Sequence, residues 1–225
     1  DLESVACPEK YRHMGDFPQV VSGVTPIPWP TYFIAGNHEP HRFLEGMPDG
    51  GMVAPNCRYL GRVFAGPLEG LEVAGLSGIF SAKWHDQRRP VFAEATNVAL
   101  KRWTYFCQED VDQLIRLAKG RSIDVLLLHD WPRGLVKPAN LESLRRRNPR
   151  ITIDTVGNET GALLVEALRP KLVLCGHMHL PLAAALSCRN GQQVPVRCLA
   201  SSAEEFESIA IFQVDDQGAI REIPI

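Results

Sequence analysis

Three short apolar runs break into polar loops in the same way. Residues 31–35 (TYFIA) lead to Gly36-Asn37-His38, residues 123–128 (IDVLLL) to His129-Asp130-Trp131-Pro132, and residues 172–175 (LVLC) to Gly176-His177-Met178-His179. Runs of this length, rich in branched and aromatic side chains and bounded by Gly, Pro or polar residues, read as buried strands. In open α/β sheets, ligands bind beyond the carboxyl ends of the strands. The pattern therefore predicts that Asn37, His38, His129, His177 and His179 converge on one place. Imidazole nitrogen and amide oxygen suit divalent metals of the Mn, Fe and Zn type. Two such ions about 3.5–4 Å apart can clamp a phosphoryl group, acidify a water and stabilise the leaving oxygen. A single strand-end histidine is ordinarily a hydrogen-bonded loop residue, and His41 and His85 are read that way. The ordered set of three loops carries the metal reading.

The rest of the chain limits what such a site can serve. Its 225 residues, 45% hydrophobic and 22% charged, fit a single domain of residues 1–225 with a sizeable core. A formal net charge of −2 excludes attraction of a polyanion by the whole protein, so nucleic acid would have to meet a local patch or a metal. The six cysteines form no C-x-x-C pair, and neither a secretory leader nor a long apolar span is present. The expectation is a reduced, soluble, cytoplasmic protein without membrane association or an obligate protein partner. Helical spacing predicts a helix over 109–117 with Val111, Leu114, Ile115 and Ala118 on one face, and Asn158 or Thr160 is a candidate N-cap for a helix over 161–168. A third helix is expected from about residue 139, with Leu141 and Leu144 inward and Arg145, Arg146 and Arg147 at its solvated, dipole-complementing end. A short helix is possible over 9–14. Strands are expected over 58–65, 71–76, 182–188, 194–199, 209–214 and 219–223, the last two joined by a hairpin at 215–218. Strands and helices alternate in the middle and the tail is mostly antiparallel, so the class is α/β.

The Gly36-Asn37-His38, His129-Asp130 and Gly176-His177-Met178-His179 stretches resemble the third, fourth and fifth motifs of the calcineurin-like metallophosphoesterases. PEKYRHMGDF, TYFIAGNHEP, GGMVAPNCRYLG, GLSGIF and LLHDWPRG are similar to stretches of one branch, the RNA lariat debranching enzymes. The HDWP and APN-x-x-YLG elements are the most specific of these. The resemblance implies an αββα sandwich, two facing sheets flanked by helices, and a phosphodiesterase that opens 2′,5′ branches in RNA with metal-activated water. By the same resemblance Asn37, His129 and His177 hold one metal and His179 the other, and His38 stands beside the phosphate as general acid, a task suited to imidazole near neutral pH. Asp130 is expected to orient a ligand histidine. The insertion at about 78–105 occupies the place of the family's lariat recognition loop, where Trp84, Arg88, Arg89, Lys101, Arg102, Trp103 and Tyr105 could stack on bases and meet phosphates.

Gly15-Asp16 imitates the Gly-Asp motif whose aspartate bridges the two metals. The residues before it, PEKYRHM, contain no apolar run that could form the core strand such an aspartate needs, and the resemblance assigns Asp16 to a loop after the true motif. The first two metal motifs and the first strand-helix-strand unit would then precede Asp1, as truncation would leave them. On that expectation a complete chain takes two divalent ions (Mn, Fe or Zn), and this chain takes one. Two alternatives share the residues: a generic phosphatase or nucleotide phosphodiesterase, and a non-catalytic module that binds RNA or protein.

Overall fold

A computed structural model describes residues 15–89, 101–202 and 204–225. The helix expected over 9–14 and part of the 78–105 insertion lie outside the described residues. The chain forms two compact units, one of residues 1–65 and 75–117, the other of residues 66–74 and 118–225.

In the first unit Gly15 and Asp16 form a turn that opens helix α1 (Phe17–Val21), and the Asp16 carbonyl accepts from the Gln19 and Val20 amides. Asp16 is exposed at the head of a helix and does not end a strand. Strand β1 (Thr31–Phe33) pairs in parallel with β3 (Cys57–Tyr59), which pairs antiparallel with β2 (Gly51–Ala54), giving the order β1-β3-β2. Helix α2 (His41–Leu44) lies between β1 and β2 in sequence. Ala35, Leu44, Val53, Ala54, Cys57 and Tyr59 form a buried cluster, against which Phe17, Phe33 and Phe43 pack. The Phe17 ring meets the edges of Phe33 and Phe43 at centroid distances of 6.4 Å, so the G-D-F stretch supplies core through its phenylalanine. Helix α3 (Gln108–Ala118) carries acidic Glu109 and Asp110 in its first turn, as the helix dipole favours, and buries Val111, Leu114 and Ala118. Ile115, expected on that face, is 42% exposed.

The second unit takes its sheet from strands that read as apolar runs. Strands β4 (Val63–Leu68) and β5 (Leu71–Leu76) form a hairpin whose tip, 66–74, belongs here. Its turn places both Glu69 (φ 47°) and Gly70 (φ 83°) in the left-handed region, the geometry that matches strand twist in two-residue hairpins. The sheet continues through β6 (Val125–Leu128), β7 (Leu172–Cys175), β9 (Gln193–Cys198) and β8 (Leu182–Ser187), in the order β4-β5-β6-β7-β9-β8. β6, β7 and β9 run parallel, and β8 is antiparallel to β9. Parallel strands are covered on both faces, which accounts for the unbroken apolar runs of β6 and β7. Helices α4 (Pro138–Arg147) and α5 (Glu159–Leu168) connect β6 to β7 in sequence. Leu144 is buried on α4, and Arg147 at its end pairs with Glu204 and Glu207. A ribbon of β10 (Ile211–Val214) and β11 (Ile220–Ile223) ends the chain as the expected hairpin. The α/β class holds: mixed sheets flanked by helices. No helix among the described residues is long and apolar enough to cross a membrane, and the five described cysteines are all free and buried.

Candidate metal centre

β6 and β7 lie side by side in register, with Leu127 opposite Leu174, so the loops that follow them start at the same level. The Gly176 amide donates to the His129 carbonyl at 3.1 Å, and the rings of His129 and His177 stand 5.4 Å apart. His177 (φ 59°) and His179 (φ 54°) both adopt the left-handed conformation, and the Met178 amide folds back to the Gly176 carbonyl at 2.7 Å across His177. Two non-glycine residues in this region within one short loop carry backbone strain of order 1–3 kcal/mol each, a cost that surrounding structure must hold in place and that clusters at active sites.

Trp131, fully buried, supplies part of that hold by donating its indole N–H to the Gly176 carbonyl at 2.8 Å. Asp130 accepts from the Trp131 amide at 2.9 Å and from the Asn158 side chain at 3.0 Å. Burial presses the His177 pKa down, the Asp130 charge opposes it and His179 adds to the depression; the net is a ring held below its ordinary value. A neutral imidazole is the form that offers a lone pair to a metal.

In the first unit, the loop after β1 is fastened by a serine. Ser77, fully buried, donates its hydroxyl to the Gly61 carbonyl at 2.7 Å and accepts from the Ala35 amide at 3.0 Å, while the Gly78 amide donates to the Ala35 carbonyl at 2.7 Å. Gly78 has φ 92°, and a Cβ there would lie 2.7 Å from the Thr104 carbonyl oxygen. These contacts give the G-L-S-G-I-F stretch its physical content. Beyond Ala35, Asn37 is half-buried and His38 exposed. Burial raises the Glu39 pKa, offset in part by the Gly36 amide.

The donor chemistry of His129 and His177 fits a divalent metal as two of its ligands. Among the described residues no group of three or more His, Cys, Asp or Glu side chains gathers that could hold an ion.

No family model matches the chain. A lariat debranching enzyme of Arabidopsis thaliana is 35% identical over 204 residues, 86% of this chain and 47% of that protein. One of Homo sapiens is 35% identical over 192 residues, 83% of this chain and 35% of its own length. One of Entamoeba histolytica is 33% identical over 181 residues, 80% of this chain and 51% of its own length. By sequence, the chain is similar to lariat debranching enzymes over four-fifths or more of its length. It spans about half the length or less of the curated relatives it matches.

The residues that the debranching resemblance assigns to substrate recognition have specific surroundings. Trp84 is half-buried, with the Lys83 ammonium 4.4 Å and the Arg102 guanidinium 4.7 Å from its ring. Arg102 donates to the Arg88 carbonyl at 2.6 Å, and Arg88, largely exposed, lies 3.4 Å from Glu109. Arg89 is turned inward in an ion pair with Asp110. Tyr105 is half-buried beside Ile79, Lys101 is exposed and Trp103 is buried in the core. His85 bonds Gln108 at 2.9 Å, as a loop histidine would; His41 lies fully buried at the start of α2. Sequence reasoning missed Ser77 and the indole of Trp131 as supports, and saw Asn158 only as a helix cap.

Proposed function

We propose that this protein is a metal-dependent phosphodiesterase that hydrolyses 2′,5′ branches in RNA. The observation that carries this reading is the match to lariat debranching enzymes across more than four-fifths of the chain, supported by the adjacent imidazoles of His129 and His177. In this reading residues 1–225 form one phosphoesterase domain. Asn37, His129 and His177 serve one divalent ion and His179 a second, with one ion the expectation for these 225 residues. When bound, the metal supplies charge stabilisation and an acidified water. His38, exposed and carried on the loop after β1, gives a proton to the departing 2′-oxygen. Asp130 orients a ligand histidine. Arg88, Arg102 and Tyr105, with Trp84, serve RNA phosphates and bases, while Arg89 is engaged by Asp110. The free cysteines fit a reducing compartment, the cytoplasm or, in a eukaryote, the nucleus.

The test is relative turnover of a 2′,5′-branched RNA, a linear RNA and p-nitrophenyl phosphate in the presence of divalent metal. The branched RNA is expected to be cleaved fastest, with His38→Ala slowing it by 10²–10⁴-fold, roughly the range of general acid catalysis. Faster turnover of the simple ester would replace this reading with a generic phosphatase.

A further inference from the structure

We infer that Asn158 is a positioning residue for the His177 loop, acting through the Asp130 carboxylate. This rests on the reading of His177 as a metal ligand. Asn158 is 6% exposed, and its amide meets three demands at once. Its Oδ1 accepts from the Gly161 amide at 2.7 Å, capping α5. Its Nδ2 donates to Asp130 Oδ2 at 3.0 Å and to the Trp131 carbonyl at 3.0 Å. One acceptor is required at one end and two donors at the other, so a single orientation of the amide satisfies all three.

The cap alone does not call for an amide, because Ser and Asp cap helices about as well as Asn. The other two bonds do. A serine hydroxyl has one hydrogen, and an aspartate would set carboxylate against carboxylate. The residue also grips the loop through its backbone: its N–H donates to the Trp131 carbonyl at 3.0 Å, and its carbonyl accepts from the Arg133 amide at 2.9 Å. Asp130 is thereby held by donors on both oxygens, Trp131 N–H on one and Asn158 on the other. Trp131 in turn holds Gly176, the residue before His177. Asn158 thus fixes both the charge that faces His177 and the peptide that carries the supporting indole. Deletion of such an outer support typically costs roughly 10–100-fold in metal affinity.

The experiment titrates Zn²⁺ alone, against a chromophoric chelator, into wild type, Asn158→Asp, Asn158→Ser, Asp130→Asn and the Asn158→Asp/Asp130→Asn double variant. The Trp131 indole N–H is followed by NMR in each. Asn158→Asp keeps an acceptor for the α5 cap, and Asn158→Ser provides a second capped variant should it fail to fold. Expected are a loss of about 10–100-fold in Zn²⁺ affinity for Asn158→Asp, a shifted and faster-exchanging indole signal, and a double variant no weaker than the weaker single. Wild-type affinity in both Asn158 variants, or losses that add in the double variant, would overturn the inference. If wild type takes up no Zn²⁺, it is the ligand reading that fails. The indole signal then decides alone: displaced in the Asn158 variants it upholds the positioning role, and unmoved it refutes it.

Discussion

Replacing Arg62 with alanine tests how the first unit is held together. The Arg62 and Glu45 side chains are 6% and 7% exposed and form an ion pair, and Arg62 Nη1 also donates to the Trp103 carbonyl at 2.6 Å. Burial works against the guanidinium charge. Glu45, followed by Tyr59 and Asp110, outweighs it, and the Arg62 pKa stands above its ordinary value. Alanine leaves the Glu45 carboxylate buried without its partner and the Trp103 carbonyl without this donor. Breaking one side of a buried pair costs about 3–5 kcal/mol. At about 2–4 °C per kcal/mol for a chain of this size, the melting temperature should fall by roughly 6–20 °C. The cost comes from the stranded charge, so replacing both partners with apolar residues, Arg62→Met with Glu45→Leu, should recover most of the loss. Thermal melts and urea unfolding of the three proteins measure this. A single variant within about 1 kcal/mol of wild type, or a double variant less stable than the single, would refute the reasoning.

Two further substitutions probe the second unit. Gly157 has φ 84°, and a Cβ there would lie 2.6 Å from the Pro132 carbonyl oxygen. Gly157→Ala should therefore lower unfolding stability by more than the about 1–2 kcal/mol of left-handed strain alone, and a urea-unfolding change under about 0.5 kcal/mol would contradict the backbone argument. Burial raises the Asp124 pKa, but hydrogen bonds from Lys171 Nζ (2.8 Å) and the Glu72 amide (2.8 Å) outweigh it and hold the carboxyl below its usual range. A depressed carboxylate contributes stability above its unfolded pKa and loses it as pH falls through the folded pKa. Asp124→Asn should cost about 1 kcal/mol near neutral pH, kept small because Lys171 is 43% exposed, and less as the pH is lowered through the acid range. A stability difference independent of pH would contradict the assignment.

The sequence was most legible where one local signal decided the outcome. β7 starts and stops where its apolar run does, and of the two candidate caps, Asn158 and Thr160, it is Asn158 that caps α5, which begins at Glu159. β1 is shorter than its apolar run because the Ala35 amide turns to the Ser77 hydroxyl, a partner 42 positions away. β2 escaped notice because Gly51-Met52-Val53-Ala54 carries little strand signal of its own. It forms by pairing back on β3 across a turn with Asn56 at φ 59°. Ile115 fits the helical period of Val111 and Leu114 yet faces outward, since periodicity does not fix the width of the buried stripe. The order of the histidine loops was readable because each follows an apolar strand. Their support was not: Trp131 to Gly176 spans 45 positions and Asn158 to Asp130 spans 28, and no local pattern announces such bonds. The left-handed backbone at His177 and His179 is likewise set by the loop's surroundings.

Metal stoichiometry tests the central claim most directly. Metal-stripped protein is titrated with Mn²⁺ or Zn²⁺ in wild type, His129→Ala and His177→Ala, and bound metal is counted at saturation. Wild type should take up one equivalent per 225-residue chain, and either substitution should abolish it. Equal uptake by all three proteins, or none by wild type, would contradict the assignment of His129 and His177 as ligands.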